Sequence, residues 1–192
     1  MDYDLPMARK ARQRLKLLNA LIFFSENVLH VGKVKLFKLL YFLDFIHYSE
    51  IGRSVTGLTY NAWPKGPVPK SLNDEWDSPR PDFGQHVTRL NRTFGTGMVQ
   101  HAIKAKKKVN LEIFTDREIA IMEDLVKKHF RHTANEMTDA SHFESGPWDI
   151  VYAKQKQNQA EIPYELALLG VADKDEIAKS AEEYEDLISN YG

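Results

Sequence analysis

Residues 36–46 read Leu-Phe-Lys-Leu-Leu-Tyr-Phe-Leu-Asp-Phe-Ile, interrupted by polar charge only at Lys38 and Asp44. A helix over Lys33 to Ile51 that contains this run has almost no polar face. Such a helix is stable only when other elements cover it on every side. The run is also about half the length needed to cross a bilayer. It is therefore the spine of a globular fold, and the rest of the chain has to wrap it. Gly32 separates it from what precedes, and Gly52 is placed to stop it.

What precedes is a second apolar stripe. Pro6 suits the first turn of a helix. Leu15, Leu18, Ile22 and Leu29 then recur at helical spacing, widened by Leu17, Leu21, Phe24 and Val28. Beyond the spine the character changes. Residues 58–63 alternate as a strand does, and Pro64, Gly66, Pro67 and Pro69 are expected to forbid regular structure before a short helix over residues 71–76. Pro79 and Pro81 mark a loop. Strand-like pieces follow at 85–90, 98–103 and 109–114, with a turn at Gly95 and Gly97. Lys104, Lys106, Lys107 and Lys108 read as an exposed hairpin tip.

The last third is helical again. Thr115 with Glu118 and Thr133 with Glu136 are capping boxes, in which hydroxyl and carboxylate each satisfy an orphan backbone N–H. They open helices over 116–130 and up to Ser141. Pro147 opens another carrying Trp148, Val151 and Tyr152. Asp173 with Glu176 opens the last, striped by Ile177, Ala181, Tyr184, Ile188 and Tyr191. The expected class is mainly α (α+β): a compact helical core around a buried central helix, with a small antiparallel sheet. At 192 residues one domain over 1–192 is expected, with a core at about 10–155 and a final helix at about 173–190 packed on it.

Composition excludes several functions. There is no cysteine, hence no disulfide, thiolate metal site or cysteine nucleophile, in keeping with a reducing, cytoplasmic setting. The acidic Met1-Asp2-Tyr3-Asp4 start is unlike a secretory signal, and no segment suits a membrane. A net charge of −1 supplies no general attraction to nucleic acid. That charge is divided, with Arg9, Lys10, Arg12, Arg14 and Lys16 near the start and Glu182, Glu183, Glu185 and Asp186 near the end.

Three chemical readings can be set against a structural one. His129 and His132, with His142 and Asp139 further on, could hold a divalent metal, but lack the His-Glu-x-x-His pattern. Two helices within 116–141 resemble a helix-turn-helix, the basis of an alternative reading as a DNA-binding regulator. The second helix offers Glu136 and Asp139 and no arginine or lysine, the wrong sign for phosphate. Ser141 beside His142 lacks a nucleophile-elbow context. Asp44 and His47 could form an acid–base pair or a satisfied buried contact. No cofactor and no catalytic residue is expected.

Three stretches together resemble the Panacea domain, the family of SocA-type antitoxins of bacterial and prophage toxin–antitoxin pairs. They are Lys35-Leu36-Phe37-Lys38-Leu39-Leu40-Tyr41-Phe42, then Ala62-Trp63-Pro64-Lys65-Gly66-Pro67-Val68, and then the segment from Thr138 through His142 to Pro147-Trp148. Pro64 departs from the pattern, and the region 78–108 is longer than expected. The resemblance implies a non-enzymatic, cytoplasmic protein that neutralises a cognate toxin by direct contact. Some relatives would instead hand the toxin to a protease, and homo-oligomerisation is left open. The motif residues Lys38, Tyr41, Trp63, Gly66, Pro67, His142, Pro147 and Trp148 are expected to hold the fold, with Trp63 and Trp148 as buried anchors and Pro67 starting the short helix. Partner contacts are expected on Lys104, Lys106, Lys107 and Lys108, on Glu182, Glu183 and Asp186, or in the loop 78–84.

Overall fold

A computed structural model describes residues 5–93, 97 and 99–190. Helix α2 (Lys33–Ile51) is the spine, and its residues from Lys35 to Tyr48 are buried but for Phe42 and Ile46. Gly32 precedes it in extended conformation, and Gly52, at φ 71°, ends it by donating its N–H to the Tyr48 carbonyl. Only glycine takes that left-handed turn without strain. A Cβ there would also lie 2.8 Å from the Ala181 methyl.

Helix α1 (Leu5–Asn27) lies beside the spine and is buried all round from Lys16 to Phe24. It stops at Asn27 rather than running on to Gly32. Leu15 and Leu29, expected in its stripe, are 40 % and 43 % exposed. The chain then forms a hairpin, β1 (Tyr60–Trp63) and β2 (Gly66–Pro69), joined by Pro64 and Lys65. The prolines were expected to forbid regular structure, yet Pro67 and Pro69 lie within β2. Ala62 donates its N–H to the Ala160 carbonyl, and Ile162 donates to Tyr60, so those edges of β1 face the 160–162 segment. Pro67 opposite Ala62 and Pro69 opposite Tyr60 therefore occupy register positions that need no N–H from β2. The short helix α3 (Lys70–Asp77) begins after Pro69, so Pro67 does not start it.

Pro81 is the first residue of α4 (Pro81–His86), where a loop was expected. A second hairpin follows, β3 (Val87–Thr93) with β4 (Val99–Ala105). The single small sheet of the sequence reading is thus two separate two-stranded sheets. Lys104 lies within β4 and Lys106, Lys107 and Lys108 follow it, so the lysines are at the base of this hairpin and not at its tip. Residues 109–114 form turns instead of a strand. The Asn110 N–H is taken by the Asn19 side chain, Glu112 donates to Asn110 and Phe114 to Leu111. Two side-chain acceptors and one local main-chain carbonyl have replaced the ladder.

The capping boxes open α5 (Asp116–His129) and α6 (Ala134–Ser141) as expected. Pro147 opens α7 (Pro147–Asp149), which continues as a π turn, Ile150–Lys154. A 3₁₀ turn, Tyr164–Leu168, leads to α8 (Lys174–Asn190). Helix α8 rests on a small cluster of Tyr48, Leu168 and Ala181, separate from the main core. Gly95, Met98, Tyr191 and the first four residues lie outside the described residues. Among the described residues, no helix is long and apolar enough to cross a membrane.

Candidate functional site

The spine hides a polar ladder. Lys35, Lys38, Tyr41, Asp44 and His47 follow at three-residue steps, and all are at most 4 % exposed. Each step of three turns a side chain back by about 60° around the helix. The five groups therefore spiral around α2, and those with recorded partners bond to different parts of the wrapping layer. Lys35 Nζ donates to the carbonyls of Leu29, Phe130 and His132, tying the α1–α2 turn to the α5–α6 loop. Lys38 Nζ donates to the Pro67 carbonyl at 2.9 Å. Asp44 accepts from the N–H groups of Val55 and Thr56 and from the hydroxyls of Thr56 and Tyr60. His47 Nδ1 is 2.6 Å from the Arg53 carbonyl, and its Nε2 is 3.9 Å from Glu118. Asp44 and His47 hence serve different neighbours and form no acid–base pair.

Burial sets the charge of these groups, because low dielectric disfavours the ionised form. It pushes Lys38 down to about 7 and Lys35 down to about 8. It raises Asp44 to about 6 despite four hydrogen bonds pulling the other way.

The middle of the ladder is where the three motif stretches meet. Gly66, at φ 92°, begins β2, and a Cβ on it would lie 2.5 Å from Lys38 Nζ, 2.7 Å from Ser141 Oγ and 2.9 Å from His142 Nε2. The absent side chain is what lets these polar atoms crowd one backbone position. The His142 ring stacks on Trp148 at 3.6 Å, and Trp148 Nε1 donates to the Trp63 carbonyl at 2.9 Å. Pro147 and Trp148 are buried, but Trp63 is only half-buried, so it anchors through its main chain rather than its ring. The Tyr41 hydroxyl, near the Trp148 main chain, and His142 Nε2 are buried with no well-formed hydrogen bond among the described residues. Burial raises the tyrosine's pKa and lowers that of the histidine. The site is rich in donors, and Asp139 and Asp149 act on its histidine through charge. It is a polar joint between α2, the first hairpin and α6–α7, with its lysine pushed toward the neutral form by burial.

Outside it, the other candidates disperse. His129 and His132 place their Nδ1 atoms 2.9 Å apart, and His129 stacks on Phe42. Burial, with His132 adding to it, drives His129 down to about 4. His142 stacks elsewhere, and no group of three or more His, Asp or Glu able to hold a metal is found among the described residues. The exposed side of α6 presents Asn135, Glu136 and Asp139. Lys104, Lys106, Lys107, Lys108, Glu182, Glu183 and Asp186 are exposed, with Lys106 reaching the Gly84 carbonyl and Glu183 near Lys179. The basic start and acidic end do meet, through two 2.7 Å bonds from Arg9 to Glu185. The three-residue recurrence of polar groups in an otherwise apolar helix was the available signal for the ladder. It is masked in sequence because an ordinary polar stripe alternates steps of three and four.

Compared with known families, residues 36–149 match the family model "Antitoxin SocA-like, Panacea domain". The chain belongs to this family. The match runs from Leu36 in α2 through α7, so the Panacea domain contains the motif joint, while α1 and α8 flank it. No curated protein and no solved structure matches the chain.

Proposed function

We propose that this Panacea-domain protein is an antitoxin that neutralises a cognate toxin by direct protein contact, without catalysis of its own. One observation carries the reading: the polar heads of three motif residues turn inward and bind the fold's own backbone. Lys35, Lys38 and Trp148 donate to main-chain carbonyls, and Asp44, just beyond the first motif stretch, accepts from main-chain amides. A scaffold whose signature residues are consumed internally leaves recognition to its outer surface. The exposed charges of β4 and of α8 supply such a surface, where rim charges govern association rate and partner choice. Low-stakes surface substitutions are tolerated, so one scaffold can carry exchangeable contacts.

The test is co-expression with the product of the adjacent open reading frame, scored for growth and for co-purification. Rescue together with a stable complex is the expected result. Soluble expression of both proteins with neither rescue nor complex would overturn the reading. Charge reversal at Glu182, Glu183 and Asp186, or at Lys104, Lys106, Lys107 and Lys108, then locates the contact by which set abolishes the complex.

A further inference from the structure

A cavity of about 400 Å³ lies where α1, the end of α2 and the start of α5 meet under Tyr184 of α8. Five basic side chains line it, Arg9, Arg12, Lys16, Arg53 and Arg117, against the single carboxylate of Glu118. Three of these are already paired. Lys16 holds both Glu118 oxygens at 2.6 and 2.7 Å on the cavity floor, Arg9 is spent on Glu185, and Arg117 on Glu50. Arg12 and Arg53 are left without any carboxylate partner among the described residues. Arg53 is nonetheless held in place, its guanidinium carbon 3.9 Å from the Tyr184 ring centre. Stacking of that kind fixes the plane of a guanidinium and leaves its edge N–H groups free to donate.

From this we propose that the cavity is a binding site for a phosphate monoester. The charge decides between anions. Two unpaired guanidinium forks match the charge of about −1.5 to −2 on a monoester at neutral pH, whereas a carboxylate would leave one fork uncompensated. The shape agrees. The volume falls within the ordinary range for small-molecule sites and exceeds what a bare phosphate fills, and Ile51 and Val55 give the organic part an apolar wall.

The experiment is isothermal titration of the full chain at low ionic strength with inorganic phosphate, glycerol 3-phosphate and AMP, using acetate as a monoanionic control. The two monoesters are expected to saturate with Kd below about 1 mM, and acetate to bind at least about tenfold more weakly. The double variant Arg12→Ala/Arg53→Ala removes two exposed side chains without touching the buried Lys16–Glu118 pair. It is expected to lose at least about tenfold in monoester affinity, with a melting temperature lowered by no more than loss of the exposed Arg53–Tyr184 stack explains. Absence of saturable monoester binding, equal binding of acetate, or full affinity in the double variant would each overturn the proposal. Saturation by inorganic phosphate alone would likewise overturn the monoester assignment. None of these outcomes bears on toxin neutralisation, which is read separately by growth rescue.

Discussion

Lys38→Met replaces the ammonium at the centre of the motif joint with an apolar group on a similar stem. In the native fold Lys38 is 1 % exposed, bonded to one carbonyl and pushed down to about 7 from an ordinary value of 10.5. A folded-state pKa lying below the unfolded one means that, between those two values, the unfolded chain binds a proton that the folded chain has released. Stability must therefore rise with pH across that window, by up to about 1.4 kcal/mol per pH unit. Below pH 7 the full penalty for burying the charge applies, on the order of 5 kcal/mol as an upper bound. Methionine carries no such penalty but leaves the buried Pro67 carbonyl without its donor, a cost of about 1–3 kcal/mol. The variant is thus expected to be more stable than the wild type at pH 7, with an advantage that shrinks steadily toward pH 9.5. Urea unfolding of both proteins at half-unit steps from pH 7 to 9.5 measures the difference directly. The range avoids the tyrosines, whose raised pKa values act in the opposite sense above pH 10, and the histidines below it. A stability difference that stays constant over this range would refute the reasoning, since it would mean that Lys38 keeps its charge in the fold.

Three further outcomes follow from the same geometry. Asp44→Ala orphans two amides and two hydroxyls in a fully buried position and should cost at least about 3 kcal/mol in urea unfolding, with Asp44→Asn costing less. Gly66→Ala sets a methyl against Lys38 and Ser141 at a positive φ and should cost more than about 2 kcal/mol, seen as a drop of several degrees in Tm. Glu118→Gln leaves Lys16 buried without its counter-ion and should destabilise by about 3–5 kcal/mol, whereas the exposed Lys127→Ala, which breaks the Lys127–Asp124 pair, should change stability by under about 0.5 kcal/mol.

Much of the helical layout was legible because its signals are local. The capping boxes at Thr115 and Thr133 act within one turn, and the glycine stop at Gly52 needs only its own φ. The apolar run after Gly32 announced a buried spine by the absence of a polar face. The strand errors share one cause. Whether residues 109–114 pair depends on Asn19, ninety-one positions away from Asn110, supplying an acceptor. Whether Pro67 and Pro69 can sit in a strand depends on which edge of β1 the 160–162 segment takes. Neither partner can be read from the segment itself.

By itself, then, the sequence determined the spine, the capped helix starts after Thr115 and Thr133, the absence of thiol chemistry and the three motifs that mark the family. Only the tertiary structure decided that those motifs meet at Gly66, that the spine's polar groups spiral outward to different neighbours, and that Arg12 and Arg53, beside a cavity, have no carboxylate partner among the described residues. The division has a physical root. Helix caps and periodicity are set by bonds spanning a few residues, whereas the charge state of Lys38 and the free valence of an arginine depend on which distant atoms the folded chain brings, or fails to bring, within reach.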